Sequence, residues 1–427
     1  MKKYAVFFLF PVFFFTSCAQ PSKLETAPSN ALFCENISEN VQTIQHLHLS
    51  AEKADEPQTM LSVSADTPYG MWFTAMDYAE ILNGKTESEF QAAVQERFQN
   101  AKDMGINTVF VQVRAFADAY YPSVYYAAGL SMSEDCSYDP LQIMLTEAHA
   151  MGLSFHAWIN PLRCQTDAQM EEMSEQYPIK QWYLDAEKNG NWIVKWEERW
   201  WLNPAYPEVR QLIADGVTEL VTNYEIDGVQ IDDYFYPTTD PAFDTAAFQE
   251  SGAAELSVWR KEQCNAMVQE LYQAVKAADS SVLFGISPQG TLSGNEQQCA
   301  DVETWCSTAG YCDYILPQLY FGLQNTSAPF ADMAALWAEM TTCPDVSLWI
   351  GICTYKLGQE DPWAGDGVTE WQTDPHIPSK EITLLLSMEK IDGIAIYDYA
   401  STFEPETSMQ EVLASERQQM QTLLQEN

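Results

Sequence analysis

Two aspartates stand side by side in "IDGVQIDDYFYP" (226–237), at the end of a β-branched run. Burying charge without a partner is costly, so Asp232 and Asp233 need a reason to be there. A second stretch, "IDGIAIYDYAS" (391–401), repeats the frame, with Asp398 where Asp233 stands and Tyr397 where Asp232 stands. Two carboxylates beside a cleft suit glycoside cleavage. One, protonated, releases the leaving oxygen, and the other supports positive charge at the sugar carbon. Adjacent carboxylates oppose each other's ionisation, which splits their roles. Two other uses stay open. One Asp can cap the following turn; a Mg²⁺ site is a third reading, weakened by the lack of further clustered carboxylates or phosphate-binding glycines.

The elements that must hold this pair follow a regular beat. "GMWFTAMDY" (70–78) reads as a strand, and Thr86 and Glu89 form a capping box for a helix with Phe90, Val94, Phe98, Ala101 and Met104 at helical spacing. "INTVFVQVR" (106–114) is a second strand, followed by a helix opened by Asp139-Pro140 and closed by Gly152. "LSFHAWIN" (153–160), a helix over 207–223 and a strand at 228–235 come next. Further strands lie at 282–288, 311–320, 346–355 and 392–399, with helices such as 254–278, 328–341 and 379–389 between them. Eight near-continuous apolar strands, each followed by a helix, predict a (β/α)8 TIM barrel over 68–405 and a C-terminal helix over 406–427. A doubly wound open sheet is the alternative, but no Gly-rich phosphate loop follows the first strand.

Active sites of such barrels lie at the C-terminal strand ends. Those ends gather Asp77, Arg114, Asn160, Arg163, Asp232, Asp233, Tyr234, Ser287, Gln318, Tyr320, Tyr355, Tyr397, Asp398 and Tyr399. Side chains alternate along a strand, so Gln230 and Asp232 share one face and Val229 and Ile231 the other. The apolar pair should face the helices, which points Asp232 into the mouth. Asp232 and Asp233 are the catalytic candidates. Asp77, Arg114, Asn160, Arg163, Tyr234, Gln318, Tyr320, Tyr397 and Asp398 are substrate-binding candidates. Between Pro161 and Pro204 lie Trp182, Trp192, Trp196, Trp200 and Trp201, with Tyr177 and Tyr183. Flat aromatic faces suit pyranose rings, and Trp200 and Trp201 join the binding set, although some of these rings must pack the loop itself. Lys195 and Arg199 in the same loop could hold an anionic group. Trp363 and Trp371 form a weaker version of the same signal.

The remaining features bound the setting. The chain has 427 residues, 61 acidic and 21 basic, for a formal charge of −40. Such a surface repels nucleic-acid phosphates and anionic headgroups. "MKKYAVFFLFPVFFFTSC" has a basic start and a short apolar run, which reads as a signal sequence over 1–18. Cys18 after Thr16-Ser17 fits a lipobox, apart from Phe15 where Leu is usual, and is the expected lipidation site. Residues 19–67 are polar and read as a tether reaching on the order of 40 Å. Ten cysteines without a CxxC pair are expected as buried free thiols rather than zinc ligands, with Cys299 and Cys306 on one helix.

The motifs "QVRAFADAYYPS", "HAWINPLR", "WWLNPAYPEVR", "DGVQIDDYFYP", "GISPQG", "DYILPQLY" and "GIAIYDYA", in that order over about residues 69–402, resemble glycosyl-hydrolase-like family ten. That family includes divisome-localised glycosyl hydrolase lipoproteins acting on peptide-stripped peptidoglycan glycan. The resemblance implies a TIM-barrel hydrolase, exported or lipid-anchored. It places the family's acidic strand-four motif on Asp232 and Asp233 and its Asn-Pro-x-Arg motif on Asn160 and Arg163. Asn203 departs from the Asp of many relatives, and a structural role is expected there. The expectation is therefore an exported, lipid-anchored glycoside hydrolase of an amino-sugar glycan such as peptide-free peptidoglycan. It needs no cofactor or metal, its partner is the polysaccharide, and it meets the membrane only through its anchor. An α-glucan-type hydrolase and a non-catalytic carbohydrate-binding lipoprotein are the alternatives, the latter because strand five ends in Gly-Ile-Ser-Pro without a Glu.

Overall fold

Apolar runs become parallel strands wherever helices can cover their outer faces. In the computed structural model, which describes residues 67–132 and 136–426, eight such strands form a closed barrel. They are β1 (Tyr69–Phe73), β2 (Thr108–Arg114), β3 (Ser154–Ile159), β4 (Gly228–Ile231), β5 (Leu283–Ile286), β6 (Tyr314–Ile315), β7 (Ser347–Cys353) and β8 (Gly393–Tyr397). Each strand pairs with the next in sequence, and β8 closes on β1 with Tyr69 opposite Ile394. The fold is a (β/α)8 barrel, and β4 and β8 stand opposite each other in it. The signal sequence, Cys18 and the tether up to residue 66 lie outside the described residues. No helix among the described residues is long and apolar enough to cross a membrane.

The helices follow the capping signals. Thr86 and Glu89 close a capping box on Glu87–Asp103, Asp139 caps Pro140–Ala150, and Pro207–Asn223 lies where its periodicity places it. Three readings need correction. The first strand ends at Phe73 rather than 78, because Thr74 and Asp77 form a second capping box that starts the helix Ala75–Leu82. The sixth strand shrinks to Tyr314–Ile315, since Pro317 has no N–H to give the ladder. Cys299 and Cys306 are not on one helix, because the chain breaks between Leu292–Gln297 and Val302–Ser307. The eight described cysteines are all free, and seven are buried.

Inside the barrel, large side chains from some strands fill the space left by small residues of others. Trp72, Phe110, Trp158, Tyr314 and Trp349 fill the lumen, with Tyr314 and Trp349 stacked at 4.2 Å. Gly285 and Gly228 make room for this: a Cβ on the first would overlap the Tyr314 ring, and on the second the His156 ring. Among the described residues the barrel is thus a plugged core, which leaves a ligand the C-terminal rim rather than the lumen.

Candidate active site

The rim pair is set by parity. Gln230 points into the lumen, where its Oε1 accepts from Trp72 Nε1 at 2.7 Å, so Asp232 two residues on points inward as well. Asp232 is buried. Its Oδ2 accepts from Trp158 Nε1 at 3.0 Å and from Asn160 Nδ2 at 3.3 Å, while Oδ1 has no partner. Asp233 is partly exposed and is held differently. Its Oδ1 accepts from Gln318 Nε2 at 3.1 Å, and its Oδ2 accepts from the Gln289 side-chain amide. A parallel bridge beyond β5 and β6 sets Gln289 abreast of Gln318, which is why both amides reach one carboxylate.

Burial, and then the neighbouring Asp233, raise the Asp232 carboxyl to about 8, against the pull of Trp158 and Arg163. Burial raises Asp233 too, but the Gln318 and Gln289 amides and its own backbone N–H oppose it. The two carboxyls thus oppose each other's ionisation. Oδ1 of Asp232 is the oxygen without a donor, and a proton there would turn an unsatisfied acceptor into a donor. Asp233, with donors on both oxygens, is the better carboxylate.

Around the pair stand aromatic walls. Tyr234 lies under the Arg163 guanidinium at 4.1 Å and beside Trp201 at 6.3 Å. Tyr320, Tyr355 and Tyr397 form a cluster with centroids 5.5 to 6.0 Å apart. Asn160 does double duty: its Nδ2 serves Asp232, and its Oδ1 accepts from the Arg163 backbone N–H at 3.2 Å. Among the described residues no group of three or more His, Cys, Asp or Glu is arranged to hold a metal ion.

Residues 69–365 match the Glycosyl hydrolase-like 10 family. The chain belongs to that family. It is similar to glycosyl hydrolase YngK of Bacillus subtilis, at 31% identity over 74% of this chain and 66% of that protein. It is also similar to glycosyl hydrolase DigH of Escherichia coli K12, at 29% identity over 74% of this chain and 77% of that one. The chain thus spans about two thirds of the first relative's length. Among solved structures, the β-amylase catalytic domain of Paenibacillus polymyxa superposes with a TM-score of 0.55 at 10% identity, covering 84% of this chain and 99% of that domain. That likeness shows the barrel fold, and the family assignment gives the chain a glycosidase-type character.

Arg114 and Trp200 of this Glycosyl hydrolase-like 10 chain do not reach the mouth, and other candidates are tied up in local structure. Arg114 is 1% exposed and lies over the Tyr126 ring at 4.2 Å. A register shift between Gln112 and Arg114 against β3 gives Arg114 the outward parity of Ile159. Trp200 is buried; it donates to Asp167 Oδ1 at 2.8 Å and meets Tyr183 edge-on at 5.2 Å. Its neighbour Trp201 takes the opposite face of the hairpin Ile193–Trp196/Arg199–Leu202. Asp77 is a helix residue rather than a strand end, and its Oδ2 accepts from Thr74 N at 2.5 Å. Asp398 caps the short helix Tyr399–Phe403 through Ser401 N at 2.9 Å, and Tyr399 is buried against Phe73. Trp371 is buried and Trp363 exposed; Asn203 is buried and accepts from Ala205 N, a structural use.

Two donors escaped the sequence reading. Trp158 shares the parity of Asn160 in "HAWIN", which was signal enough to place it beneath Asp232. Gln289 follows a Pro after β5, and neutral residues in turns carry no chemical mark of their own.

Proposed function

We propose that the chain is an exported O-glycoside hydrolase acting on a 2-acetamido glycan, with peptide-free peptidoglycan strands as its substrate. The observation that carries this reading is the unequal pair: Asp232 has one free oxygen and a raised pKa, and Asp233 has a donor on each oxygen. Asp232 acts as general acid at the glycosidic oxygen. Asp233 accepts from the acetamido N–H, so that the substrate's own carbonyl oxygen attacks the anomeric carbon, an established exception to two-carboxylate catalysis. This assignment explains how adjacent aspartates suffice when β5 offers no Glu. Asp232 Oδ1 is closed to solvent in the free protein, so the rim must shift on binding before the glycosidic oxygen can become the partner it lacks.

Turnover of purified peptide-free glycan strands, compared with starch and intact sacculi, tests the reading. Reducing ends released from the stripped glycan alone support it. Preference for starch makes the chain an α-glucan hydrolase, and binding without cleavage makes it a carbohydrate-binding protein. For export, the basic and apolar N-terminal run ending at Cys18 supports lipid anchoring. Cys18→Ala is expected to release the protein into the soluble exported fraction, and unchanged detergent partitioning contradicts the anchor.

A further inference from the structure

Among the described residues, Arg114, Arg163, Arg199 and Arg417 are the arginines with no carboxylate within ion-pair distance. Two of them sit together at the mouth. The guanidinium carbons of Arg163 and Arg199 both lie over the ring of Phe116, at 4.8 and 4.0 Å. Among the described residues neither is within ion-pair distance of a carboxylate, although Arg97, Arg210 and Arg260 each are. The Arg163 side chain makes no hydrogen bond among the described residues, and Arg199 makes one long one, from Nη1 to the Cys164 carbonyl at 3.4 Å. Lys195, on the same hairpin, is instead ion-paired with Asp167.

The stacking explains how like charges stay together. A guanidinium flat on an aromatic ring is held by the π face and keeps its N–H edge free. That edge matches a carboxylate two bonds at a time. Burial and then the neighbouring Arg163 lower the Arg199 guanidinium, with the buried Asp118 carboxylate pulling the other way. An arriving anion relieves that repulsion. The place is close to the chemistry: the Arg163 backbone N–H donates to Asn160 Oδ1, and the Asn160 amide in turn donates to Asp232.

We propose that Arg163 and Arg199, clamped on Phe116, form a carboxylate-binding subsite that fixes an acidic sugar substituent beside the catalytic pair. This rests on the glycosidase reading and narrows it. The preferred glycan carries a carboxylate on the sugar ring, and the register of the chain in the cleft is set by that group. A lactyl ether carboxylate and a uronate share this chemistry.

The test changes the ligand as well as the protein. Peptide-free glycan strands are compared with the same strands after chemical reduction of their carboxyls to alcohols, and a hexuronate polymer is run in parallel. Binding is measured on the Asp232→Asn protein so that the glycan is not consumed, and turnover on the wild type. Carboxyl reduction is expected to weaken binding about tenfold or more, the scale of a hydrogen-bonded charge. Arg199→Gln should lose the same factor on the native strands and nothing further on the reduced ones, and Arg163→Gln should behave alike. Tighter, Arg199-dependent binding of the hexuronate polymer keeps the subsite and makes the carboxylate a uronate. Equal affinity for native and reduced strands overturns the subsite, as does an Arg199→Gln loss of equal size on both. Cleavage of the reduced strands with unchanged affinity removes the subsite and leaves the glycosidase reading intact. Carboxylate-dependent binding without any wild-type turnover does the reverse.

Discussion

The rim carries two carboxyl pairs, and they differ in who serves them. Asp232 and Asp233 leave β4 and take their hydrogen bonds from side chains: Trp158 and Asn160 at the end of β3, Gln289 after β5 and Gln318 after β6. Asp77 and Asp398, at the β1 and β8 side, take theirs from the backbone of their own helices, Thr74 N and Ser401 N. Yet both pairs have raised pKa values. Burial and then Asp398 lift Asp77 to about 8, as burial and then Asp233 lift Asp232. A perturbed carboxyl therefore reports burial and crowding, whichever use it is put to. Donors converging from three neighbouring strands report a built site. A donor from within the same turn reports a cap.

The largest effect that follows falls on the β4 pair. Asp232→Asn and Asp233→Asn should each reduce turnover of acetylated glycan by about 100-fold or more without unfolding the protein. The double variant should be little worse than either single one, because the pair acts as a unit. Losses that multiply in the double variant would show two independent roles.

The hairpin gives a second, smaller contrast. Trp201→Ala should weaken glycan binding several-fold, for one ring face of about 1 kcal/mol, and leave stability close to the wild type. Trp200→Ala should do the opposite, lowering the melting temperature through the lost Asp167 hydrogen bond and core packing. Calorimetry and glycan affinity on the two variants check this, and equal affinity losses would erase the distinction.

The smallest effect concerns stability against pH. A carboxyl whose folded pKa lies above its unfolded value of about 4 keeps its proton in the folded state and loses it on unfolding. Stability from Asp77 and Asp232 is thus highest below about pH 4 and declines as pH rises toward about 8. Asp77→Asn removes one share of that decline and keeps the Thr74 acceptor, so its stability–pH curve should be flatter with turnover within a few-fold of wild type. A curve parallel to the wild type would mean that Asp77 titrates normally.

Much of this was legible in the residues. The period of the apolar runs and the caps at Thr86 and Asp139 set out the barrel, and the alternation through Gln230 aimed Asp232 inward. What the sequence hid depended on pairing. Arg114 reads as a strand-end charge until the register shift against β3 turns it outward. Asp77 reads as a strand end because a Thr-x-x-Asp capping box resembles strand continuation when the residues between are apolar. Gln289 carries no sign of its function until the bridge to Gln318 places both amides on Asp233. Trp200 and Trp201 are alike as residues, and only the hairpin pairing sorts the buried ring from the open one.

The central claim is that Asp232 donates the proton and Asp233 supports the acetamido group. Leaving-group dependence tests it most directly, because an activated aryl leaving group departs without protonation. Turnover of a dinitrophenyl 2-acetamido glycoside should be nearly restored in Asp232→Asn and remain depressed about 100-fold or more in Asp233→Asn. Restoration in Asp233→Asn instead, or an equal deficit in both variants, would contradict the assignment.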